Sequence, residues 1–198
     1  MPNALTVARL VAAPIVGALL LVGGHSLYAA GRDVAVALLS TALVIFLLAA
    51  LTDWLDGAMA RKLDATSVMG AALDHAADKA LVTASLFALA ATALPFDLVI
   101  AGALIVTRDV TVAGLREGLS LAGRALPVSS LGKVKTVAEL IGVGAAIAVQ
   151  IAAIVTPFAD RAVEPLDVIT FIARAFLWAA AALALWSGAE YARAALEK

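Results

Sequence analysis

The chain has 198 residues, of which 64% are hydrophobic and only 15% charged, with no cysteine and a formal charge of −1. A water-soluble domain is roughly half apolar and a quarter charged, so a mean hydropathy of +1.04 leaves too little polar surface for a globule in water and assigns the chain to a membrane. The 14 Lys+Arg and 15 Asp+Glu form no charged block, which argues against nucleic acid as a partner, and the lack of Cys removes disulfides, thiolate metal sites and thiol nucleophiles.

A spanning helix needs about 20 mostly apolar residues. Leu10 to Gly31, Val34 to Thr52, Ala80 to Phe96 and Leu140 to Ala159 contain no Asp, Glu, Lys or Arg. Leu98 to Leu115 is interrupted only by Arg108 and Asp109, and Val168 to Ala189 only by Arg174. Six helices are therefore expected, at Leu5–Val22, Val34–Arg61, Gly70–Leu94, Leu98–Leu119, Leu131–Phe158 and Asp167–Ala194. Gly23, Gly24 and Gly31 punctuate the end of the first, Pro95 that of the third, Gly118 and Gly123 that of the fourth, and Pro157 and Pro165 flank the last connection. Barrel strands alternate in polarity and these segments do not. The expected fold is an all-α integral membrane protein, a bundle of six transmembrane helices in one domain spanning residues 1–198.

Positive charge sets the orientation. With the N-terminus inside, Arg9, Arg61, Lys62, Arg116, Arg124, Lys133, Lys135, Arg193 and Lys198 are cytoplasmic, against Arg32 and Arg161 outside. Arg9 within the start of the first apolar segment, and no small-x-small cleavage site after it, argue for a retained N-terminus.

Asp53, Asp56, Asp74 and Asp78 cluster at the cytoplasmic ends of the second and third helices. Carboxylates beside hydrocarbon are costly and call for a compensating cation or a water-filled cavity. The three-residue step between Asp53 and Asp56, and the four-residue step between Asp74 and Asp78, put each pair on one helix face. Oxygen ligands of this kind suit Mg²⁺, often completed by substrate phosphate. Gly57 and Gly70 remove side chains where a ligand or backbone would approach. A cation or metabolite transporter would also use intramembrane acids, although no inverted repeat or broken helix supports it.

These residues spell D-x2-D-G-x2-A-R-x8-G-x3-D-x3-D from Asp53 through Asp56, Gly57, Ala60, Arg61, Gly70 and Asp74 to Asp78. The pattern resembles the complete signature of the CDP-alcohol phosphatidyltransferases. The resemblance implies six transmembrane helices around a cytoplasm-facing polar cavity, usually in a homodimer, with two Mg²⁺ or Mn²⁺ ions per site. It implies Asp53, Asp56 and Asp74 as metal ligands and Asp78 as metal ligand and general base. Gly57, Ala60, Arg61 and Gly70 fall to the cytidine nucleotide, with Arg61 on its diphosphate.

Arg108, Arg116, Lys133 and Lys135, in the fourth helix and after it, suggest a phosphorylated acceptor alcohol, since a guanidinium inside a span must find an anion or water. The flanks Pro2 to Arg9, Gly114 to Glu117 and Gly132 to Thr136 resemble the phosphatidylglycerophosphate synthase branch. That likeness implies CDP-diacylglycerol as donor, sn-glycerol 3-phosphate as acceptor, a lipid environment and a bacterial inner membrane. Departures are His75 for a usual proline, Arg108-Asp109 for a usual Arg-Glu, and Glu139 for a frequent Gln. Arg-Asp also occurs in cardiolipin synthases, which use phosphatidylglycerol, and an inositol phosphate acceptor ranks third.

Thr6 is expected to cap an interfacial first turn and Arg9 to snorkel from it. Arg174 is read as pairing with an acid such as Glu139 or touching lipid phosphate. His25 and His75 are read as non-ligands, and Trp54, Trp178 and Trp186 as belt or packing aromatics.

Overall fold

The structure, a computed structural model, contains α1 (Ala4–Ala29), α2 (Arg32–Leu63), α3 (Val68–Thr92), α4 (Phe96–Leu121), α5 (Ser130–Val155) and α6 (Glu164–Leu196). It describes residues 4–63, 68–92, 94–121, 130–156 and 164–196, without the side chains of 4, 5, 53–63, 68–72, 74, 75, 78, 130, 131, 133, 164, 165 and 196. Among the described residues there is no strand.

Each helix buries one stripe. In α2 it runs Ala35, Leu39, Ala42, Phe46, Ala49; in α4, Leu98, Ala101, Ile105, Val112; in α6, Ala173, Leu177, Ala180, Ala184, Ser187, Tyr191. Steps of three and four keep such residues on one side of a helix. α1 packs along α2 and α3, α6 along α5 and α4, and α5 also meets α2 and α3. Lipid gives no hydrophobic drive between helices, so close backbone approach through small residues matters. Gly142 is the clearest case: a Cβ there would lie 2.8 Å from Leu177 Cγ and 3.0 Å from the Leu177 backbone nitrogen.

The outward faces are apolar. Val11, Leu47, Leu48, Phe87, Val110, Phe171, Trp178 and Trp186 are all exposed, the residue types that suit contact with acyl chains rather than water. Among the described residues, Thr6–Ala29, Arg32–Thr52, Phe96–Leu121, Val134–Val155 and Leu166–Ala195 are long and apolar enough to span, while α3 contributes the shorter apolar stretch Lys79–Thr92. The first half of α3 carries Asp74, Asp78 and Lys79, which explains why only its second half suits hydrocarbon.

Three local expectations need correction. α1 runs through Gly23 and Gly24 and ends only before Gly31, whose φ of +96° turns the chain into α2. The two earlier glycines serve packing, since a Cβ on Gly24 would meet the Thr92 side chain at 2.6 Å. α4 likewise continues through Gly118 to Leu121. Thr6 and Arg9 do not form an exposed first turn: the helix already begins at Ala4, and they are 5% and 2% exposed. Arg9 therefore faces into the bundle rather than snorkelling out.

Two connections are tied at one end of the bundle. The Pro95 carbonyl accepts hydrogen bonds from the Leu98 and Val99 amides at 2.9 and 3.0 Å and so starts α4. At the same end, Arg32 donates to the Val155 carbonyl, joining the start of α2 to the end of α5.

Candidate active site

At the opposite end of the bundle the inward stripes turn polar. The buried stripe of α2, stepping through positions 35, 39, 42, 46 and 49, continues in the same register to positions 53 and 56. The α3 register of 85 and 81 continues back to 78 and 74. Four acids thus occupy register positions in line with the buried stripes of two helices that both pack on α1. Four carboxylates are a donor set that fits hard divalent cations. The side chains of Asp53, Asp56, Gly57, Ala60, Arg61, Gly70, Asp74, Asp78 and Lys133 lie outside the described residues, as do those of Trp54 and His75.

Beside Asp78 in the chain, Lys79 opens a described polar cluster built by α3, α4 and α5. Lys79 Nζ lies 2.7 Å from Asp109 Oδ2. Lys135 Nζ lies 2.5 Å from Asp109 Oδ1 and 2.5 Å from Glu139 Oε1. Glu139 Oε2 returns to Lys79 Nζ at 3.6 Å, closing a ring of alternating charge. Lys135 and Glu139 are 1% and 0% exposed, so each depends on the ring for what water would otherwise supply. Lys135 and Glu139 share a face of α5 because they are four residues apart.

Arg108 joins this ring through Nη1, 3.0 Å from Asp109 Oδ1, and through Nη2 it donates to Ser187 Oγ of α6 at 2.8 Å. Arg116 donates to Tyr191 Oη at 2.7 Å. Both guanidinium carbons stand near the Tyr191 ring, at 5.5 Å for Arg108 and 5.1 Å for Arg116, within the range of a cation–π contact. The described cluster therefore holds four cations, Lys79, Arg108, Arg116 and Lys135, against two carboxylates, Asp109 and Glu139.

Of the residues singled out from the sequence as acceptor-binding, Arg108, Arg116 and Lys135 thus come together, while the side chain of Lys133 is not described. Arg174 does pair with an acid, but the partner is Asp97 rather than Glu139. Arg174 lies in the opposite half of α6 and pairs with Asp97 at 3.2 Å in an exposed position, whereas Glu139 is taken up by the two lysines. His25 sets its Nδ1 2.8 Å from the Leu21 carbonyl of its own helix.

Sequence reasoning missed Lys79, Ser187 and Tyr191, and read Asp109 and Glu139 as departures from a pattern and as ion-pair partners without placing them together in one cluster. For Lys79 a signal existed, since it directly follows Asp78. For Ser187 and Tyr191 it lay in the stripe of α6, whose three-and-four stepping carries on past Ala184 to both.

The sequence model of the CDP-alcohol phosphatidyltransferases matches residues 1–186. A Bacillus subtilis (strain 168) protein named CDP-diacylglycerol–glycerol-3-phosphate 3-phosphatidyltransferase is 35% identical over 197 residues, covering 96% of this chain and 92% of the relative. A Cereibacter sphaeroides protein of the same name is 38% identical over 143 residues, 72% of this chain and 60% of its own. A cardiolipin synthase (CMP-forming) from Oryza sativa subsp. japonica is 32% identical over 205 residues, 98% of this chain and 56% of its own.

Proposed function

This chain belongs to the CDP-alcohol phosphatidyltransferase family, and from that premise we propose that it transfers the phosphatidyl group of CDP-diacylglycerol to the primary hydroxyl of sn-glycerol 3-phosphate, forming phosphatidylglycerophosphate and CMP. The donor's acyl chains explain why the reaction belongs on a membrane protein.

The observation that carries the acceptor is the charge of the described cluster. Four cations exceed two carboxylates by two charges, and a phosphate monoester near neutral pH carries about −1.5 to −2. A phosphodiester such as phosphatidylglycerol carries one negative charge and is the weaker match to two cations in excess among the described residues. The relatives named for glycerol 3-phosphate support the same choice.

In this reading Asp53, Asp56, Asp74 and Asp78 would hold two Mg²⁺ or Mn²⁺ ions, which when bound would supply positive charge to offset the diphosphate and the charge that develops on departing CMP. Gly57, Ala60 and Gly70 leave room for the cytidine nucleotide against helix backbone, and Arg61 binds its diphosphate. Arg108, Arg116, Lys133 and Lys135 receive the acceptor's phosphate. The Asp78 carboxylate takes the proton of the acceptor hydroxyl. That oxygen then bonds to the phosphatidyl phosphorus as the bond from this phosphorus to the bridging anhydride oxygen breaks, and CMP leaves with the bridging oxygen. Holding both reactants in one site supplies the orientation that free diffusion would not. The protein works as a homodimer in a bacterial inner membrane with its N-terminus and active site facing the cytoplasm.

The test is CMP release by purified protein in mixed micelles with CDP-diacylglycerol and Mg²⁺, offering glycerol 3-phosphate, inositol phosphate or phosphatidylglycerol. Release that depends on glycerol 3-phosphate is the expected result. Release only with phosphatidylglycerol would move the protein to cardiolipin synthesis, and metal-linked flux across liposomes without CMP would replace the enzyme with a transporter.

A further inference from the structure

Two arginines of α4, Arg108 and Arg116, lie eight residues apart, about 12 Å along a helix at 1.5 Å per residue. Left to solvent they would wander independently, since an arginine side chain has many rotamers to sample. Here both are gathered by one short face of α6. Ser187, 0% exposed, accepts from Arg108 Nη2 while its own hydroxyl lies 2.7 Å from the Leu183 carbonyl, to which it donates. Tyr191, one turn further, accepts from Arg116 Nη2 and sets its ring beside both guanidinium groups. Gly188, between them, leaves the space: a Cβ there would stand 3.1 Å from Arg108 Cγ.

Two donors are left over. Arg108 Nε and Arg116 Nε are buried and have no hydrogen-bond partner among the described residues. A buried N–H on a cation without an acceptor is costly, and an anion drawn in beside either guanidinium group would offset that cost. Lys79 and Lys135 are already ion-paired with Asp109 and Glu139, whereas each of the two guanidinium groups keeps an N–H without an acceptor.

We propose that Ser187 and Tyr191 of α6 are positioning residues that preset Arg108 and Arg116 for the phosphate of the acceptor alcohol, which makes α6 a determinant of acceptor affinity. The inference rests on the acceptor reading above. Neither residue touches the reacting atoms; each acts through a guanidinium group. Tyr191→Phe keeps the ring and removes the hydroxyl that Arg116 grips, so the arginine loses its anchor while the packing stays. Hydrogen bonds to charged groups are stronger than neutral ones, and part of that strength reaches the acceptor through the guanidinium group.

The experiment measures steady-state CMP release for wild type, Tyr191→Phe and Ser187→Ala, with inorganic phosphate as a competing anion. Expected are a roughly tenfold rise in the KM for glycerol 3-phosphate, a parallel rise in the inhibition constant of phosphate, and changes within about twofold in kcat and in the KM for CDP-diacylglycerol. Tyr191→Leu, which also removes the ring, should raise the acceptor KM further. An unchanged acceptor KM in both single variants overturns the proposal, as does an equal effect on both substrates. A variant that loses thermal stability yet keeps wild-type KM and phosphate inhibition overturns it too, because α6 would then be only structural. If wild type releases no CMP with glycerol 3-phosphate, the acceptor reading itself has failed, and that outcome is read from the wild-type arm alone.

Discussion

Replacing Asp109 by Asn tests the ring of charges most directly. Asp109 neutralises Lys79 at 2.7 Å, Lys135 at 2.5 Å and Arg108 at 3.0 Å; with Asn, the two lysines would share Glu139 alone and Arg108 would lose its carboxylate. Removing one partner of a buried ion pair costs about 3–5 kcal/mol. Two features reduce that here. Lys79 and Arg108 are 21% and 11% exposed, so water can recover part of their solvation, and the Asn oxygen still accepts one hydrogen bond. A loss of about 2–3 kcal/mol remains after these discounts to the buried-pair penalty. The assay is reversible unfolding by SDS from dodecylmaltoside micelles, followed by circular dichroism. A double-mutant cycle with Lys135→Met should show a favourable coupling of about 1–2 kcal/mol, because the two side chains share one network. A single-variant loss below about 0.5 kcal/mol, or strict additivity in the cycle, would show that the ring contributes nothing to stability and that water already screens it.

Asp78→Asn should keep fold and nucleotide binding and abolish turnover; retained CMP release would remove it as the base. Chelation with EDTA should stop CMP release, and Mg²⁺ or Mn²⁺ should restore it; activity that survives exhaustive chelation would count against the metal reading. Gly142→Ala should lower the thermal midpoint, since its Cβ would press on Leu177 at 2.8 Å and overpacking typically costs about 1–3 kcal/mol. Gly114→Ala, with nothing within 4 Å of the added Cβ, is the control. Equal behaviour of the two glycine variants would refute the close approach of α5 and α6.

Helix number and type were legible because runs of apolar residues of spanning length admit few structures in lipid, where every backbone group must be satisfied within the element. Helix ends were less legible. Glycine breaks helices by its entropy in water, but in a bundle Gly24 is worth more as a gap for Thr92 than as a stop, and only the positive φ at Gly31 ends α1. The acid motif could be read because its spacing is local. The charged ring beside it could not, since Lys79, Asp109, Lys135 and Glu139 come from three helices and sequence spacing says nothing about which helices adjoin. Arg9 was misjudged for the same reason: a cation near a helix start looks like a snorkelling group until the face it occupies is known to be internal.

The length of α6 has an optical consequence. Its 33 residues extend to about 50 Å at 1.5 Å per residue, against a hydrocarbon thickness of about 30 Å, so the helix overshoots the apolar slab even with an ordinary tilt. Trp178 and Trp186, 42% and 67% exposed, are eight residues apart on it and so separated by about 12 Å of depth along the axis. They form a ruler written into the protein. Lipids brominated at successive acyl positions should quench one indole before the other in single-tryptophan versions of the chain, and the order of quenching would report how deep the last turns of α6, with Ser187 and Tyr191, sit below the headgroups.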